Sequence, residues 1–326
     1  MKILVTGGAG YIGSVVAEQL LENDYEVLVV DNLQQGHQQA VPKGSEFADV
    51  DISDRDDMDQ VFKSHAIYAV MHLAADSLVG LSMTNPGKFF QNNVAGGLKL
   101  LDAMVHHDVH NFIFSSSAAI YGSPVTVPIE EDNPKDPVNA YGESKLVFER
   151  ILRWYGAAHG LRHISLRYFN AAGASETLGE DHQPETHLIP NVLKSALSKN
   201  GIMKIFGTDY PTKDGTCVRD YVHVADIAKA HVLALEKLDS LAGKAYNLGN
   251  GDGYSVLEVV ETAKRVIGTD IAAEFCPRRP GDPAVLVASS QLAREELKWM
   301  PEFPELERII ETAWRWLKDH PNGYRH

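Results

Sequence analysis

Short apolar segments alternate with amphipathic ones along the first half of the chain. The segments with strand-like composition are KILVTGG (2–8), YEVLVVDN (25–32), AVMHLAA (69–75), NFIFSSS (111–117) and RHISLRYFN (162–170). Between them, residues 14–24 and 92–108 repeat their apolar positions at helical spacing. This alternation is typical of βαβ units. It predicts an α/β fold of the Rossmann type, with a doubly wound parallel sheet.

The pattern changes after Asn170. Residues 174–190 are polar and lack the alternation, whereas NVLKSALSK (191–199) again has helical spacing. We therefore predict a Rossmann domain over residues 1–170 and a smaller mixed α/β domain over residues 171–326.

The second half also contains a segment that resembles the strands of the first. AYNLGNG (245–251) is apolar with a glycine-rich exit, so we expect the chain to return to the first domain near 221–250. A length of 326 residues suits two linked lobes better than one core.

Composition narrows the class of protein. The chain is 44% hydrophobic and 23% charged, as soluble globular proteins are. A net charge of −14 disfavours nucleic acid as a partner, because phosphates require a basic surface. Two cysteines make no disulfide framework, and neither a secretory signal nor an apolar run of membrane-spanning length is visible. We expect a cytoplasmic protein without a membrane partner.

A glycine-rich turn follows the first predicted strand. In TGGAGYIG (6–13), the glycines Gly7, Gly10 and Gly13 precede a helix, which is the context of dinucleotide-binding turns. Such a turn brings the backbone and a helix N-terminus close to a pyrophosphate. A glycine-rich turn without a ligand is the alternative.

The second predicted strand ends in Asp31, followed by Asn32. A carboxylate at this place accepts hydrogen bonds from both ribose hydroxyls of an adenosine and repels a 2′-phosphate. The pattern favours NAD over NADP, and Asn32 extends the same contact. A solvated carboxylate at a strand end is the competing interpretation.

Candidate catalytic groups lie at the end of a later strand and the start of the next helix. Residues 111–117 end in three serines, and AYGESK (140–145) places Tyr141 and Lys145 four residues apart, on one helix face. The carboxyl ends of parallel strands carry the ligands of such sheets, so these groups are expected near the dinucleotide. The YxxxK spacing alone would not identify a site.

In combination these motifs resemble the extended short-chain dehydrogenase/reductase family, and within it the UDP-hexose 4-epimerases. The resemblance covers nearly the whole chain and includes TGGAGYIGS, DVDIS (49–53), VMHLAA, NNV (92–94), SSSAAIYG, YGESK, LRYFNAAGA, IFGTDYPTKDGTCVRDYVHVAD (205–226), YNLGNG and PRRPGD (277–282).

The resemblance implies a reaction. Tyr141 would remove the proton of the sugar 4-hydroxyl while hydride passes from C4 to tightly bound NAD. The 4-keto sugar would then take the hydride back on its other face, which interconverts UDP-glucose and UDP-galactose. Ser117 would hydrogen-bond the same sugar oxygen. Because Lys145 and the cationic nicotinamide favour the phenolate, we expect the pKa of Tyr141 to fall.

The resemblance also implies binding residues. Those for NAD are Gly7, Gly10, Tyr11, Ile12, Gly13, Asp31, Asn32, Asp51, Ile52, Leu73, Ala74, Ala75, Asn92, Tyr141, Lys145 and Tyr168. Those for the UDP-sugar are Ser117, Tyr141, Asn170, His187, Leu188, Phe206, Arg219, Arg279, Asp282 and Leu286. A core-packing role competes for Leu188 and Phe206. A homodimer through helices near 92–108 and 141–158 is implied as well.

Some positions depart from related enzymes. Nucleotide-sugar dehydratases carry acids where this chain has Ala118 and Ala119, so water elimination is disfavoured. Leu286 is smaller than the tyrosine that would crowd an N-acetyl group, and Ser77 stands where some members have lysine.

Other polar residues are expected to be structural. Ser115 and Ser116 suit backbone capping or packing, and Tyr121 suits packing. The histidines 106, 107 and 110 lack acidic or cysteine partners at ligand spacing, so no metal is predicted.

Two kinds of alternative remain open. UDP-N-acetylglucosamine or UDP-glucuronate 4-epimerases are siblings of the leading interpretation. A non-catalytic dinucleotide-sensing protein is the alternative from another class, since fold does not determine function. Such a protein would be expected to lose the serine, the tyrosine or the lysine.

Overall fold

The computed structural model describes residues 1–198, 201–279 and 282–325. In these residues the strands are, in chain order, β1 (Lys2–Thr6), β2 (Glu26–Asp31), β3 (Glu46–Asp49), β4 (Ile67–His72), β5 (Asn111–Ser117), β6 (Arg162–Tyr168), β7 (Asn170–Ala172), β8 (Ile202–Phe206), β9 (Val218–Arg219), β10 (Tyr221–His223), β11 (Ala245–Leu248), β12 (Tyr254–Ser255), β13 (Ala272–Cys276) and β14 (Val285–Leu286).

The α-helices of the same residues are α1 (Tyr11–Glu22), α2 (Arg55–Ser64), α3 (Val79–Thr84), α4 (Pro86–Phe89), α5 (Gly97–His106), α6 (Ala140–His159), α7 (Leu188–Leu197), α8 (Val224–Glu236), α9 (Leu238–Leu241), α10 (Val256–Ile267) and α11 (Leu306–Asp319). Shorter 3-10 helices span Gln38–Ala40 and Ala118–Tyr121, and π-helical segments span Phe90–Gly96 and Ala293–Leu297. No helix in the described part of the chain is both long and apolar enough to cross a membrane.

The central sheet has seven parallel strands in the order β11-β6-β5-β4-β1-β2-β3. Side chains alternate between its faces: Ile3 and Val5 of β1 pack on one side, and Leu4 packs on the other. Helices α1 and α8 pack together, as do α2 and α5. This is the doubly wound Rossmann-type arrangement that the alternation of strands and helices predicts.

The second half of the chain contributes to both parts of the molecule. Strand β11 pairs with β6 in the central sheet, whereas β8 pairs with β13, and β9 lies between β12 and β14 in smaller sheets. Helices α7, α10 and α11 contact one another beside these smaller sheets. The predicted domain boundary between residues 170 and 171 falls within β7, and it stays a prediction.

Several predicted elements have different ends. The strand expected over 69–75 ends at His72, and the next three residues form a loop. The helix expected over 92–108 begins as the π-helical segment and becomes α5 at Gly97. A Cβ atom at Gly97 would lie 2.3 Å from Phe148 Cε2, so α5 and α6 are in close contact there. Helix α7 ends at Leu197, and Lys199 of the predicted helix lies outside the described residues.

Candidate active site

A cavity of about 630 Å³ opens at the carboxyl ends of the central strands. The residues predicted to contact NAD all line it: Gly7, Gly10, Tyr11, Ile12, Gly13, Asp31, Asn32, Asp51, Ile52, Leu73, Ala74, Ala75, Asn92, Tyr141, Lys145 and Tyr168. The residues predicted to contact the sugar nucleotide line the same cavity: Ser117, Asn170, His187, Leu188, Phe206, Arg219, Arg279, Asp282 and Leu286. The fold therefore brings together side chains from every region in which the sequence suggests chemistry.

The turn between β1 and α1 requires its glycines. Gly7 has a φ of +69°, and a Cβ atom on it would lie 2.5 Å from the backbone nitrogen of Ala74. A Cβ atom on Gly13 would lie 2.1 Å from the carbonyl oxygen of Gly7. Among the described residues, no side chain caps the N-terminus of α1, and its first turn has no acidic residue. The turn is thus shaped for an anionic ligand at a helix N-terminus.

Asp31 connects the end of β2 to this turn. Its Oδ2 accepts a hydrogen bond from the backbone N–H of Ala9 at 3.0 Å, and its Oδ1 accepts one from Leu33 at 2.9 Å. Burial raises the pKa of this carboxyl, against the effect of the two backbone hydrogen bonds. The side-chain amide of Asn32 donates to Asp51 at 2.9 Å. Polar groups from three loops thus surround one end of the cavity.

Lys145 lies one helical turn after Tyr141 on α6. The helix begins at a cap in which Asn139 accepts a hydrogen bond from Gly142 N–H, at 2.8 Å. The Lys145 ammonium donates to the carbonyl oxygen of Ser115 at 2.8 Å and lies 5.9 Å from the ring centroid of Tyr141. Burial lowers the pKa of Lys145 to about 7, and Glu149 opposes this effect.

The protein's own groups raise the pKa of Tyr141. The predicted fall, which depends on the nicotinamide as well as on Lys145, stays a prediction. Burial of the phenol is the dominant cause, because it disfavours the charged form. A hydrogen bond with Ser117 acts in the opposite direction. The same burial lowers the pKa of the neighbouring Lys145.

The neighbouring serines are buried, as the packing alternative predicts, and their hydroxyls contact side chains rather than capping the backbone. Ser115 Oγ lies 3.0 Å from Nε2 of the buried His231, and the Ser116 hydroxyl donates to Glu149 at 2.6 Å. The partners come from α8 and α6, which sequence position does not reveal. Tyr121 is buried, as a packing residue would be, and its hydroxyl donates to Asn247 at 2.7 Å.

Two arginines line the part of the cavity that the second half of the chain forms. Arg219, on β9, makes a salt bridge of 2.9 Å with Asp282. The guanidinium of Arg279 lies 4.1 Å from the ring centroid of Phe206. Leu286 pairs with Arg219 in the register of β14 on β9. The resemblance assigned these five residues to the UDP-sugar, and all of them line the one cavity. Two residues of the PRRPGD motif, 280 and 281, lie outside the described part of the chain.

Sequence reasoning missed several residues that line the cavity, including Glu180, His182, Gly36, Asp76 and Cys217. Glu180 and His182 belong to the polar segment 174–190, whose acidic and histidine content was the available signal.

The histidines at the end of α5 also have an acidic neighbour that the sequence spacing did not show. Nε2 of His107 lies 2.7 Å from Oδ1 of Asp59, on α2. A ring nitrogen of His106 lies within 4.8 Å of both side chains. Asp59 is 47 residues from His106 in sequence (106 − 59), so no local pattern connects them. The statement that these histidines have no acidic partner is corrected, and the absence of a metal stays a prediction.

A glycine turn after the first strand, an acidic residue ending the second and a Tyr–Lys pair at the same sheet edge define a Rossmann-type, dinucleotide-dependent enzyme. The chain belongs to the NAD dependent epimerase/dehydratase family, whose sequence model matches residues 3–249. NAD is accordingly its cofactor. The close contacts at Gly7 and Gly13 and the buried carboxylate of Asp31 fit that dinucleotide.

Similar proteins are more specific than the family. The UDP-glucose 4-epimerase of Halalkalibacterium halodurans is 51% identical over 99% of this chain and 98% of its own length. A crystal structure of a UDP-glucose 4-epimerase superposes with a TM-score of 0.96 at 49% identity and covers 100% of both chains. The enzyme of Bifidobacterium longum, solved with NAD+ and UDP, has a TM-score of 0.95 at 39% identity over 99% of this chain and 100% of that one.

Proposed function

We propose that the chain interconverts UDP-glucose and UDP-galactose by reversible oxidation and reduction at the sugar C4. One observation carries this proposal: Tyr141, Lys145 and Ser117 line the same cavity as the dinucleotide turn and Arg219. A base, a cofactor site and a phosphate-binding group are therefore within reach of a single ligand. The relatives named UDP-glucose 4-epimerase support the same substrates.

The first part of the chain holds the cofactor. The backbone N–H groups at the start of α1 face the pyrophosphate, and Asp31 accepts hydrogen bonds from the adenosine ribose. When bound, NAD supplies the hydride acceptor and a positive charge on its nicotinamide ring. The remaining NAD-facing residues from the sequence analysis complete the walls of this site.

Tyr141 takes the proton of the sugar 4-hydroxyl and returns it after the sugar has turned. Since burial raises the pKa of its phenol, proton removal depends on positive charge brought beside it. Lys145 holds its ammonium against Ser115 O, close to the ring of Tyr141. Ser117 hydrogen-bonds the same sugar oxygen and helps to guide the proton.

The second part of the chain holds the UDP group. Arg219 and Arg279 provide planar guanidinium groups for the diphosphate, and Asp282 accepts from the uridine ribose. Leu188 and Phe206 enclose the uracil. The sugar is left near Asn170, His187 and Leu286, beside Tyr141.

The alanines after β5 determine which reaction follows oxidation. Ala118 and Ala119 begin the 3-10 helix after Ser117 and line the cavity. Methyl groups supply no acid or base for the elimination of water. The 4-keto sugar is therefore expected to be reduced again rather than dehydrated.

Assembly and location are part of the proposal. The exposed side chain of Trp154 on α6 supports a homodimer in which α5 and α6 of two copies pack together, since a large exposed aromatic residue suits an interface. The absence of a disulfide framework in the sequence supports a cytoplasmic location. A role in galactose metabolism follows from the proposed substrates.

The test is product analysis. Purified protein is incubated with UDP-galactose, UDP-N-acetylgalactosamine and UDP-galacturonate, and the products are resolved by NMR. Conversion of UDP-galactose to UDP-glucose is expected. A protein that binds NAD but converts none of the three would be a dinucleotide sensor, and the proposal would be rejected.

A further inference from the structure

Four titratable side chains of the segment 174–190 come together at the wall of the cavity. Nδ1 of His187 lies 2.5 Å from Oε1 of Glu180 and 3.3 Å from Oε1 of Glu185. His182 Nδ1 lies 3.0 Å from Oε1 of Glu180. The side chains of both glutamates are 6% exposed, whereas that of His187 is 41% exposed. Both carboxylates are therefore more deeply buried than the imidazole, which lines the cavity together with Glu180 and His182.

His187 occupies a position that is unfavourable for a cation without partners. It is the N-cap of α7, and the positive end of the helix dipole disfavours a protonated imidazole there. Burial would lower the pKa of His187, but the attraction of Glu180 and Glu185, whose carboxylates lie beside Nδ1, raises it well above its usual range. The other groups that face the cluster are Tyr11 and Lys194, whose ammonium lies 3.7 Å from Glu185 Oε2.

The first turn of α7 adds to the positive electrostatic potential around His187. It has no acidic residue, and Leu188 and Asn191 line the cavity beside His187. Unpaired N–H groups at a helix start attract anions, and an imidazolium ahead of them strengthens that attraction. The two carboxylates favour a protonated imidazole. That imidazole and the start of the helix together favour an anion such as a phosphate as the ligand.

We propose that Glu180 and Glu185 are positioning residues that keep His187 as a permanent imidazolium, which serves as the counter-charge of a phosphate in the cavity. The inference rests on the proposed function where that phosphate belongs to the UDP-sugar. The pyrophosphate of NAD has the same chemistry. The glycine turn that would hold it is also close to the cluster, since the ring centroids of Tyr11 and His182 are 6.2 Å apart.

The first experiment measures the charge of His187 directly. Histidine-labelled holoenzyme is titrated by NMR, with His187→Gln to assign the signal. In the wild type, His187 is expected to stay protonated from pH 6 to pH 8.5, and in Glu180→Gln it is expected to titrate within that range. A neutral His187 at pH 7.5 in the wild type would overturn the proposal whether or not the chain is an epimerase.

The second experiment identifies the phosphate. UDP affinity and the NAD dissociation rate are measured at pH 6 and pH 8.5. In Glu180→Gln, but not in the wild type, either the UDP affinity is expected to fall or the NAD dissociation rate is expected to rise at the higher pH. The change should be about tenfold, as the loss of a charge-assisted hydrogen bond would cause. A change in UDP affinity assigns the sugar nucleotide, and a change in NAD release assigns the cofactor.

Controls separate this role from general damage and from the proposed function. Glu176→Gln removes the same charge from an exposed position of the same segment and should leave both quantities unchanged. If His187 titrates in Glu180→Gln while both ligands bind independently of pH, the counter-charge role is rejected. Wild-type protein that binds no UDP would reject the proposed function, while the NAD arm still tests the counter-charge. One nitrogen or oxygen atom from each of the four side chains of the cluster lies within 4.8 Å of the other three. Stoichiometric zinc or another metal in the purified protein would therefore overturn this proposal in favour of a metal site.

Discussion

The ammonium group of Lys145 donates a hydrogen bond of 2.8 Å to the backbone carbonyl oxygen of Ser115. This bond ties α6 to β5, two residues before the strand ends at Ser117. The hydroxyl of Ser115 lies 3.0 Å from His231 of α8, so the strand is held from its other side as well. The base, its lysine and the strand-end serine are therefore fixed by one connection between helix and strand.

The buried lysine should make stability depend on pH. Its pKa is about 7 in the folded chain and returns to its ordinary, higher value on unfolding. Between those two values the unfolded chain binds more protons, so stability rises with pH, and the cost of burying the charge is largest below pH 7. Lys145→Met removes that cost, so with both proteins stripped of cofactor its free energy of unfolding should exceed that of the wild type by more at pH 6.5 than at pH 9. Urea denaturation measures this, and a difference that is equal at both pH values would contradict it. Lys43→Met, at an exposed position, is the control.

Tyr141→Phe should abolish turnover while NAD remains bound. The substitution removes the phenol oxygen but keeps the ring, which packs edge to face on Phe89 with centroids 6.5 Å apart. Loss of the base is expected to reduce kcat by about 10³-fold or more. Release of NAD from denatured protein, quantified by absorbance, checks that the site is loaded. Activity near that of the wild type would remove Tyr141 as the base.

The sequence predicted the parts of this site that follow from local patterns. The glycine turn, Asp31 and the Tyr141–Lys145 pair lie where strand and helix alternation places them, since parallel strands end at one edge. The return of β11 to β6 was visible only as a strand-like segment, because pairing between distant strands leaves no local spacing.

Burial was the main quantity that could not be predicted. The pKa of Tyr141 moves upward because the fold around the phenol removes water from it, and no pattern of neighbours in sequence describes that environment. The same holds for Asp59 beside His107 and for Glu180 beside His187, which become partners through helix packing and loop folding.

Asp31→Asn should weaken NAD binding. An amide has a single acceptor oxygen, so the N–H of either Ala9 or Leu33 loses its partner, and the ribose loses a charged acceptor. A loss of about tenfold in NAD affinity is expected from one charge-assisted hydrogen bond, by calorimetry on cofactor-stripped protein. Asp24→Asn, in an exposed left-handed turn that asparagine tolerates, should bind NAD normally. Equal affinities of the two variants would argue against the ribose contact.

Gly13→Ala should close the dinucleotide turn. The added methyl group would lie 2.1 Å from the carbonyl oxygen of Gly7, so the backbone of the turn must move. We expect loss of measurable NAD binding and a lower unfolding midpoint. Gly87→Ala adds the same methyl group within α4 with nothing within 4 Å, and it should change neither property. NAD bound at full occupancy by Gly13→Ala would show that the turn does not hold the pyrophosphate.

The C-terminal segment joins two loops that border the cavity. Tyr324 donates its backbone N–H to Asp181 Oδ2 at 3.1 Å, and its hydroxyl lies 3.0 Å from the N–H of Gly179. Nε2 of His37 lies 2.9 Å from the carbonyl oxygen of Asp181, and the rings of His37 and Tyr324 are 5.2 Å apart. The cavity is lined by Gly36 on one side of this junction and by Glu180 on the other.

Tyr324→Ala should therefore release NAD faster without impairing the chemical step. The substitution removes the buried ring and the hydrogen bonds to Gly179, which should cost about 3 kcal/mol of stability, as truncation of a buried aromatic residue does. The dissociation rate of NAD is expected to rise about tenfold, while kcat at saturating NAD stays within about twofold of the wild type. Deletion of residues 325–326 keeps Tyr324 and should release NAD at the wild-type rate. A Tyr324→Ala protein that is less stable yet releases NAD at the normal rate would show that the junction supports the fold and does not retain the cofactor.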